Sequence, residues 1–149
     1  MSPFLGEMIG TMLLILLGDG VVANVVLKRT KGNNAGWIVI TAGWAMAVFV
    51  GVFVSSGVSK AHLKPAVTLA VALEGQFQCA HVPMYLGAQM LGAMLGAFLV
   101  WLHYRPHFAE TSEGDAKLAV RRFVQMCVEV LNGYRRHRIP WGVMRGISM

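Results

Sequence analysis

The stretch that decides the fold is SSGVSKAHLKPAVTLAVALEG, residues 55–75. Small polar residues lead to Pro65, an apolar run follows from 66 to 73, and Glu74 and Gly75 end it. Proline at the first helical position and glycine after the last are typical of a short helix. Because a spanning helix needs about 20 residues, this one is too short to cross a bilayer. It either lies on the membrane surface or enters the membrane and returns as a re-entrant half-helix.

The segments on either side of this stretch are long and apolar enough to cross a membrane. They run from about Pro3 to Leu27, from Trp37 to Val54, and from near Pro83 to near Tyr104. The first carries Glu7, Asp19 and Asn24, and such residues are costly in lipid unless protein or water satisfies them. The sequence therefore predicts three spans, with polar groups inside the first.

The composition agrees with a multi-span membrane protein. Of 149 residues, 56% are hydrophobic and 13% are charged, whereas soluble domains carry about 25% charged residues. The net charge is +6, and eight of the 13 Lys and Arg residues follow residue 104. Basic residues beside a membrane favour anionic headgroups, so membrane lipid is the expected partner rather than nucleic acid.

The residue types that carry catalysis or hold cofactors do not form a recognisable set. Cys79 and Cys127 are far apart and belong to no metal-ligand pattern. His103 and His107 are four residues apart, but Pro106 is expected to interrupt the helix between them, so no metal pair is predicted. We expect no catalytic residues, no cofactor and no enzyme activity.

Small residues recur at intervals of four in all three spans. The rows are Gly6 and Gly10 in the first span, Gly43, Ala47 and Gly51 in the second, and Ala88, Gly92 and Gly96 in the third. Such rows let helix backbones approach closely in lipid. They favour a tightly packed helical bundle.

Three motifs in order resemble the aquaporin (major intrinsic protein) family. AHLKPAVTLAVAL, residues 61–73, resembles its first signature loop, normally His-Leu-Asn-Pro-Ala-Val-Thr. GEMIGTMLLILLGDGVVAN, residues 6–24, and YLGAQMLGAMLGAFLVW, residues 85–101, resemble its first and third helices. The chain is identified as similar to the N-terminal half of the glycerol uptake facilitator (aquaglyceroporin) subtype.

The resemblance implies an all-α membrane protein with three transmembrane helices and one re-entrant half-helix, half of an aquaporin-like fold. In that family two half-helices meet at the membrane midplane and point the positive ends of their dipoles into the pore. The implied function is facilitated diffusion of glycerol and water, and the implied location is a bacterial-type plasma (inner) membrane. Intact relatives are tetramers, so the implied partners are glycerol, water, lipid and further copies of the chain.

The resemblance also assigns site residues. The pore signature falls on His62, Leu63, Lys64, Pro65 and Ala66, with His62 expected to brace the loop. Trp44, twenty residues before Lys64, falls on a selectivity-filter position, where its indole offers an apolar wall for a polyol; the alternative is an interfacial or packing Trp. Glu7 is implied to support the re-entrant loop by accepting its backbone hydrogen bonds, or else to lie in headgroup water.

Two departures from the family pattern affect the expected function. Lys64 stands in place of the signature Asn, and lysine carries a full positive charge and no acceptor, so it cannot cap a helix start. Lys60 stands where a Gly is usual, and its side chain is expected to fit poorly there. If Lys64 faces the pore, we predict weak or absent conduction.

The chain is predicted to divide at residue 117. Residues 1–117 form the N-terminal half of an aquaporin-like channel, and residues 118–149 form a basic tail in which we recognise neither the family's later helices nor its second signature loop. A truncated or frame-shifted product is one hypothesis for the tail. The tail is predicted to be either an amphipathic surface helix or disordered, its apolar face formed by Val120, Phe123, Val124, Cys127 and Leu131.

Three functions remain open from the sequence. The first is a channel for glycerol and water, impaired in this form. The second is a non-conducting membrane fragment that only associates with other helices. The third is a cationic binder of membrane surfaces that acts through the tail.

Overall fold

The computed structural model describes residues 1–112. Its helices are α1 (Pro3–Val26), α2 (Trp37–Ser59), α3 (Pro65–Leu73) and α4 (Val82–Glu110), with a 3-10 turn at Cys79–His81 before α4. The predicted tail helix lies outside the described residues, as does the predicted 118–149 division. No strand occurs among residues 1–112.

Three of these helices, α1, α2 and the segment containing α4, are long and apolar enough to cross a membrane. Helix α1 packs against both α2 and α4. The connections make α2 antiparallel to α1, and α4 runs in the same direction as α1. This is the predicted all-α membrane architecture, and the chain is an integral membrane protein.

Small residues set the spacing of the bundle as predicted. A Cβ atom at Gly51 would lie 3.0 Å from the carbonyl oxygen of Gly10, so α1 and α2 nearly touch through their backbones. A Cβ at Gly96 would lie 2.6 Å from the carbonyl oxygen of Met12, which leaves no room for a side chain between α1 and α4. Close backbone approach of this kind is a common basis of helix association in lipid.

Helix α2 continues five residues beyond the predicted end at Val54. The Ser55 hydroxyl donates to the carbonyl of Gly51 at 2.7 Å, and the Ser59 hydroxyl donates to the carbonyl of Ser55 at 3.2 Å. Each serine hydroxyl donates to the carbonyl one turn earlier, so the helix continues through the polar residues at which the hydropathy falls.

The expectation that Pro106 interrupts the helix between His103 and His107 is wrong. Helix α4 runs through Pro106 to Glu110. Its final turn is held from outside: Thr111 Oγ1 accepts from the backbone N–H of Lys28 at 3.1 Å, and His107 Nδ1 lies 3.2 Å from the Lys28 carbonyl. The connection between α1 and α2 thus stabilises a turn that proline weakens.

The segment between α2 and α4 enters the bundle and returns to the same end. Leu63 is buried and packs in one cluster with Leu14 and Ala93, far from the helix ends. Both ends of the segment meet where the Tyr85 hydroxyl donates to the Ser59 carbonyl at 3.0 Å. The segment is therefore re-entrant, with the start of α3 inside and its last residue, Leu73, at the exposed end.

Candidate functional site

The centre of the re-entrant segment is a buried carboxylate that accepts four hydrogen bonds. Glu7 Oε1 accepts from the Ser59 hydroxyl at 2.7 Å and from the His62 N–H at 3.0 Å. Glu7 Oε2 accepts from the Leu63 N–H and from Gln89 Nε2, both at 2.8 Å. We call Glu7 and these four donors the Glu7 clamp. It joins α1, α2, the loop and α4 at one point.

A second polar contact holds the start of α3 to the same point. Gln89 Nε2 also donates to Thr68 Oγ1 at 2.9 Å, and His62 Nδ1 lies 3.3 Å from that hydroxyl. On the other side of the loop, the Thr11 hydroxyl donates to the Leu63 carbonyl at 3.3 Å. Polar side chains from three helices therefore fix both the loop and the first turns of α3.

The loop backbone is unusual, because three of its non-glycine residues are left-handed. The φ angles are 66° at Lys60, 54° at Ala61 and 56° at Leu63. Each such conformation costs about 1–3 kcal/mol and persists only when the surroundings enforce it. The Glu7 clamp supplies that enforcement. The Lys60 side chain is exposed, so the departure from glycine strains the backbone rather than crowding the loop.

Lys64 lies at the N-cap of α3 with extended backbone, φ −137° and ψ 136°. Its carbonyl accepts from the N–H groups of Val67 and Thr68, both at 3.1 Å. Its side chain is exposed and caps none of the helix N–H groups. The ammonium therefore adds a charge at the end of α3 where the helix dipole is already positive.

The other signature residues take structural positions. The His62 ring is buried between the rings of Phe77 and Tyr85, with centroids 4.9 and 5.1 Å away. Pro65 is the first residue of α3 and half-buried, and Ala66 beside it is exposed. Of the signature residues, Lys64 and Ala66 are thus the ones with exposed side chains.

Trp44 lies on α2 against α1. A Cβ at Gly18 would stand 2.6 Å from two atoms of the indole ring, so the glycine makes room for the tryptophan. Trp44 is half-buried and also borders the cluster that contains Leu63. This packing accounts for one face of the ring, and a filter role for Trp44 stays a prediction.

Several residues of the site were not predicted as site residues from the sequence. They are Thr11, Ser59, Thr68, Tyr85 and Gln89. The available signal was polarity, because Thr11 and Gln89 stand in otherwise apolar spans and such groups must find partners. Among residues 1–112, no cluster of three or more His, Cys, Asp and Glu side chains could hold a metal ion.

A bundle of spanning helices around a re-entrant half-helix, held by a buried carboxylate, defines the class: one half of an aquaporin-like membrane channel fold. A profile of the Major intrinsic protein family matches residues 1–135. The chain belongs to that family, whose members are channels and not enzymes.

Several relatives support this assignment. The probable glycerol uptake facilitator protein of Thermotoga maritima is 58% identical over 120 residues, covering 80% of this chain and 51% of that protein. The glycerol uptake facilitator protein of Streptococcus pneumoniae is 57% identical over 116 residues, covering 77% and 50%. The X-ray structure of the aquaglyceroporin from Plasmodium falciparum superposes with a TM-score of 0.67 at 36% identity, covering 72% of this chain and 43% of that one.

The chain spans about half the length of these curated relatives. The family match extends to residue 135, past the predicted boundary after residue 117. That boundary stays a prediction.

Proposed function

We propose that this chain forms one side of a path for the facilitated diffusion of glycerol and water. The observation that carries the proposal is the Glu7 clamp, which turns the start of α3 toward the interior of the bundle. A helix start held at membrane depth presents a positive dipole end, which suits the hydroxyl oxygens of water and glycerol and opposes cations. Irregular backbone at this depth is tolerated where it is buried in protein or lines a wet passage.

Trp44 supplies the apolar side of the proposed path. An indole ring offers a flat apolar surface to the carbon atoms of a polyol, while the hydroxyl groups of the polyol bond to polar groups elsewhere. Trp44 lies on α2 beside the Leu63 cluster, which connects it to the re-entrant segment. The names of the Thermotoga maritima and Streptococcus pneumoniae relatives fit glycerol as the solute.

Lys64 is expected to limit conduction in this chain. Its exposed side chain lies at the start of α3. The family signature has an uncharged Asn at this position, and an Asn side chain can accept from helix N–H groups and donate to a solute. A fixed charge at that depth attracts and orders water, and the long side chain narrows the passage. We infer that this chain conducts less than its Lys64→Asn variant.

A second function, a non-conducting fragment that associates with other helices, is favoured by the surface of α2. Trp37, Ile38 and Phe53 are 79%, 85% and 76% exposed. Apolar side chains on a membrane helix can meet lipid or another helix equally well, so this surface permits association without any transport.

The test compares the full chain with Lys64→Asn. Each is reconstituted into proteoliposomes together with the remaining length of the Thermotoga maritima relative as a separate polypeptide, and glycerol flux is measured by stopped-flow light scattering. We expect Lys64→Asn to raise flux by roughly tenfold, since about 1.4 kcal/mol on a barrier changes a rate by that factor. Lys60→Asn removes the same charge four residues earlier and should leave flux unchanged. Background flux for all three chains would instead support the non-conducting fragment.

A further inference from the structure

The ring of Trp44 lies directly against a glycine of the first helix. A Cβ atom at Gly18 would stand 2.6 Å from Cε3 and Cζ3 of the indole and 2.7 Å from Cη2. Carbon atoms in ordinary contact are about 3.5–4.0 Å apart, so even one methyl group at this position would overlap the ring. The six-membered ring of the indole therefore occupies the space that a side chain at residue 18 would need.

The neighbouring pair of residues packs in the opposite sense. A Cβ at Gly43 of α2 would stand 2.6 Å from Cγ2 of Val21 on α1, so here the glycine belongs to α2 and the side chain to α1. Trp44 follows Gly43 in the chain, and Val21 lies three residues after Gly18. Two reciprocal contacts thus hold both the backbone and the ring of Trp44 against α1.

The two helices have little freedom to move apart at this level. On one side of Gly18 along α1, a Cβ at Gly51 would lie 3.0 Å from the carbonyl oxygen of Gly10. On the other side lies the contact between Val21 and Gly43. Because α1 and α2 meet closely both before and after Gly18, a larger residue at 18 is accommodated more readily by the ring than by the helices.

The direction in which the ring can move is limited by its other neighbours. Trp44 packs against both buried clusters, the one around Val22 and the one around Leu14. It is nevertheless half-buried, so part of its surface is open. A methyl group at Gly18 would push the ring away from α1 and toward that open side by about 1 Å, the difference between 2.6 Å and an ordinary carbon contact.

We propose that Gly18 is a positioning residue for Trp44 and, through it, sets the width of the path for glycerol. This inference rests on the proposed function, in which the open side of the indole borders the path. Glycerol is wider than water, so its passage depends more strongly on where the ring lies. Glycine at residue 18 lets the indole lie back against α1 and so leaves room for the larger solute.

The flux test compares Gly18→Ala with the chain that keeps glycine. Both carry Lys64→Asn, so that flux is measurable, and both are combined with the remaining length of the Thermotoga maritima relative. Glycerol flux and water flux are measured on the same proteoliposomes by stopped-flow light scattering. We expect Gly18→Ala to lower the ratio of glycerol flux to water flux by about tenfold, the lower end of what one methylene group changes in a discriminating pocket.

The matched control for this variant is Gly20→Ala. It adds the same methyl group to the same helix, at a position where no atom of the described residues lies within 4 Å of the Cβ. Gly20→Ala should therefore keep the flux ratio. A general loss of structure would lower both fluxes together and leave their ratio unchanged, so the ratio separates positioning of the ring from damage to the fold.

Trp44→Phe tests whether the effect of Gly18→Ala passes through the ring. Phenylalanine lacks the second ring of the indole, so a methyl group at residue 18 has less to displace. We expect Gly18→Ala to lower the midpoint of thermal unfolding in detergent when Trp44 is present, and to have a much smaller effect in a Trp44→Phe chain. Such non-additivity is the behaviour of residues in direct contact. The flux ratio should follow the same pattern.

The two measurements distinguish a failure of this inference from a failure of the proposed function. An equal drop in midpoint with and without Trp44 would show that Gly18 does not position the ring, and the proposal would fall. An unchanged flux ratio in Gly18→Ala, with both fluxes above background, would also overturn it. Background flux of both solutes in every chain would refute the proposed function instead, and the unfolding midpoints would still decide whether Gly18 holds Trp44 in place.

Discussion

At the scale of single residues, Glu7 explains most of the site. Its carboxylate accepts four hydrogen bonds, and each of the four donors belongs to a buried residue. Glu7 is completely buried, so a substitution cannot be repaired from solvent.

We predict that Glu7→Gln lowers the free energy of unfolding by about 2–4 kcal/mol, because in either orientation the amide NH2 faces a backbone N–H donor, that of His62 or that of Leu63. The measurement is an unfolding titration of the detergent-solubilised protein. Glu74→Gln, an exposed acid after α3, is the matched control and should cost almost nothing. An equal midpoint for wild type and Glu7→Gln would contradict the importance of the clamp.

The sequence indicated that Glu7 needs a partner, and the family resemblance implied the loop backbone, but neither pointed to the side-chain donors Ser59 and Gln89. Asp19 is an equally buried acid in the same helix, and none of the side chains in residues 1–112 donates to either of its oxygens. The same pattern, an acid in an apolar span, thus has two outcomes. The difference is decided by Gln89 and the loop, which lie more than 50 residues away along the chain.

At the scale of elements, the close contact of α1 and α4 depends on Gly92 and Gly96. A Cβ at either position would overlap the α1 backbone. We predict that Gly96→Leu separates the helices and destabilises the fold by roughly 1–3 kcal/mol or more, the usual cost of overpacking. Thermal unfolding in detergent measures the loss. A Gly96→Leu midpoint equal to that of Gly87→Leu, which adds the same side chain where no atom of residues 1–112 lies within 4 Å of the Cβ, would refute this packing.

The starts of the helices were predictable from the sequence, but two of their ends were not. Pro3, Trp37 and Pro65 begin helices where predicted. The ends at Ser59 and Glu110 lie beyond the predicted ones, because hydrogen bonds from serines and from the neighbouring loop extend each helix. Hydropathy reports where a segment meets lipid, and it does not report where backbone hydrogen bonding stops.

At the scale of the whole molecule, the re-entrant path of α3 predicts which residues a water-soluble reagent can reach from each side of the membrane. With Cys127 replaced by serine, the exposed Cys79 reports the end where α4 begins. In proteoliposomes, we expect a bulky impermeant maleimide to label Cys79 from one side of the membrane. In a second chain, which carries Cys79→Ser and Ala109→Cys, we expect the new cysteine to be labelled from the other side. A cysteine at Ala66 should react more slowly than either, because it lies within the bilayer. Labelling of Ala66→Cys as fast as that of Cys79 would place α3 on the membrane surface.

The long sequence separation within the Glu7 clamp bears on how the protein is made. Glu7 and Gln89 are 82 positions apart, and a chain emerges from the ribosome starting at its N-terminus. Helix α1, which carries Glu7, is therefore synthesised well before Gln89, whose amide completes the hydrogen bonding of Glu7. During that interval the carboxylate must be sheltered by the insertion machinery or by water, and its set of four hydrogen bonds is complete only once α4 has been made.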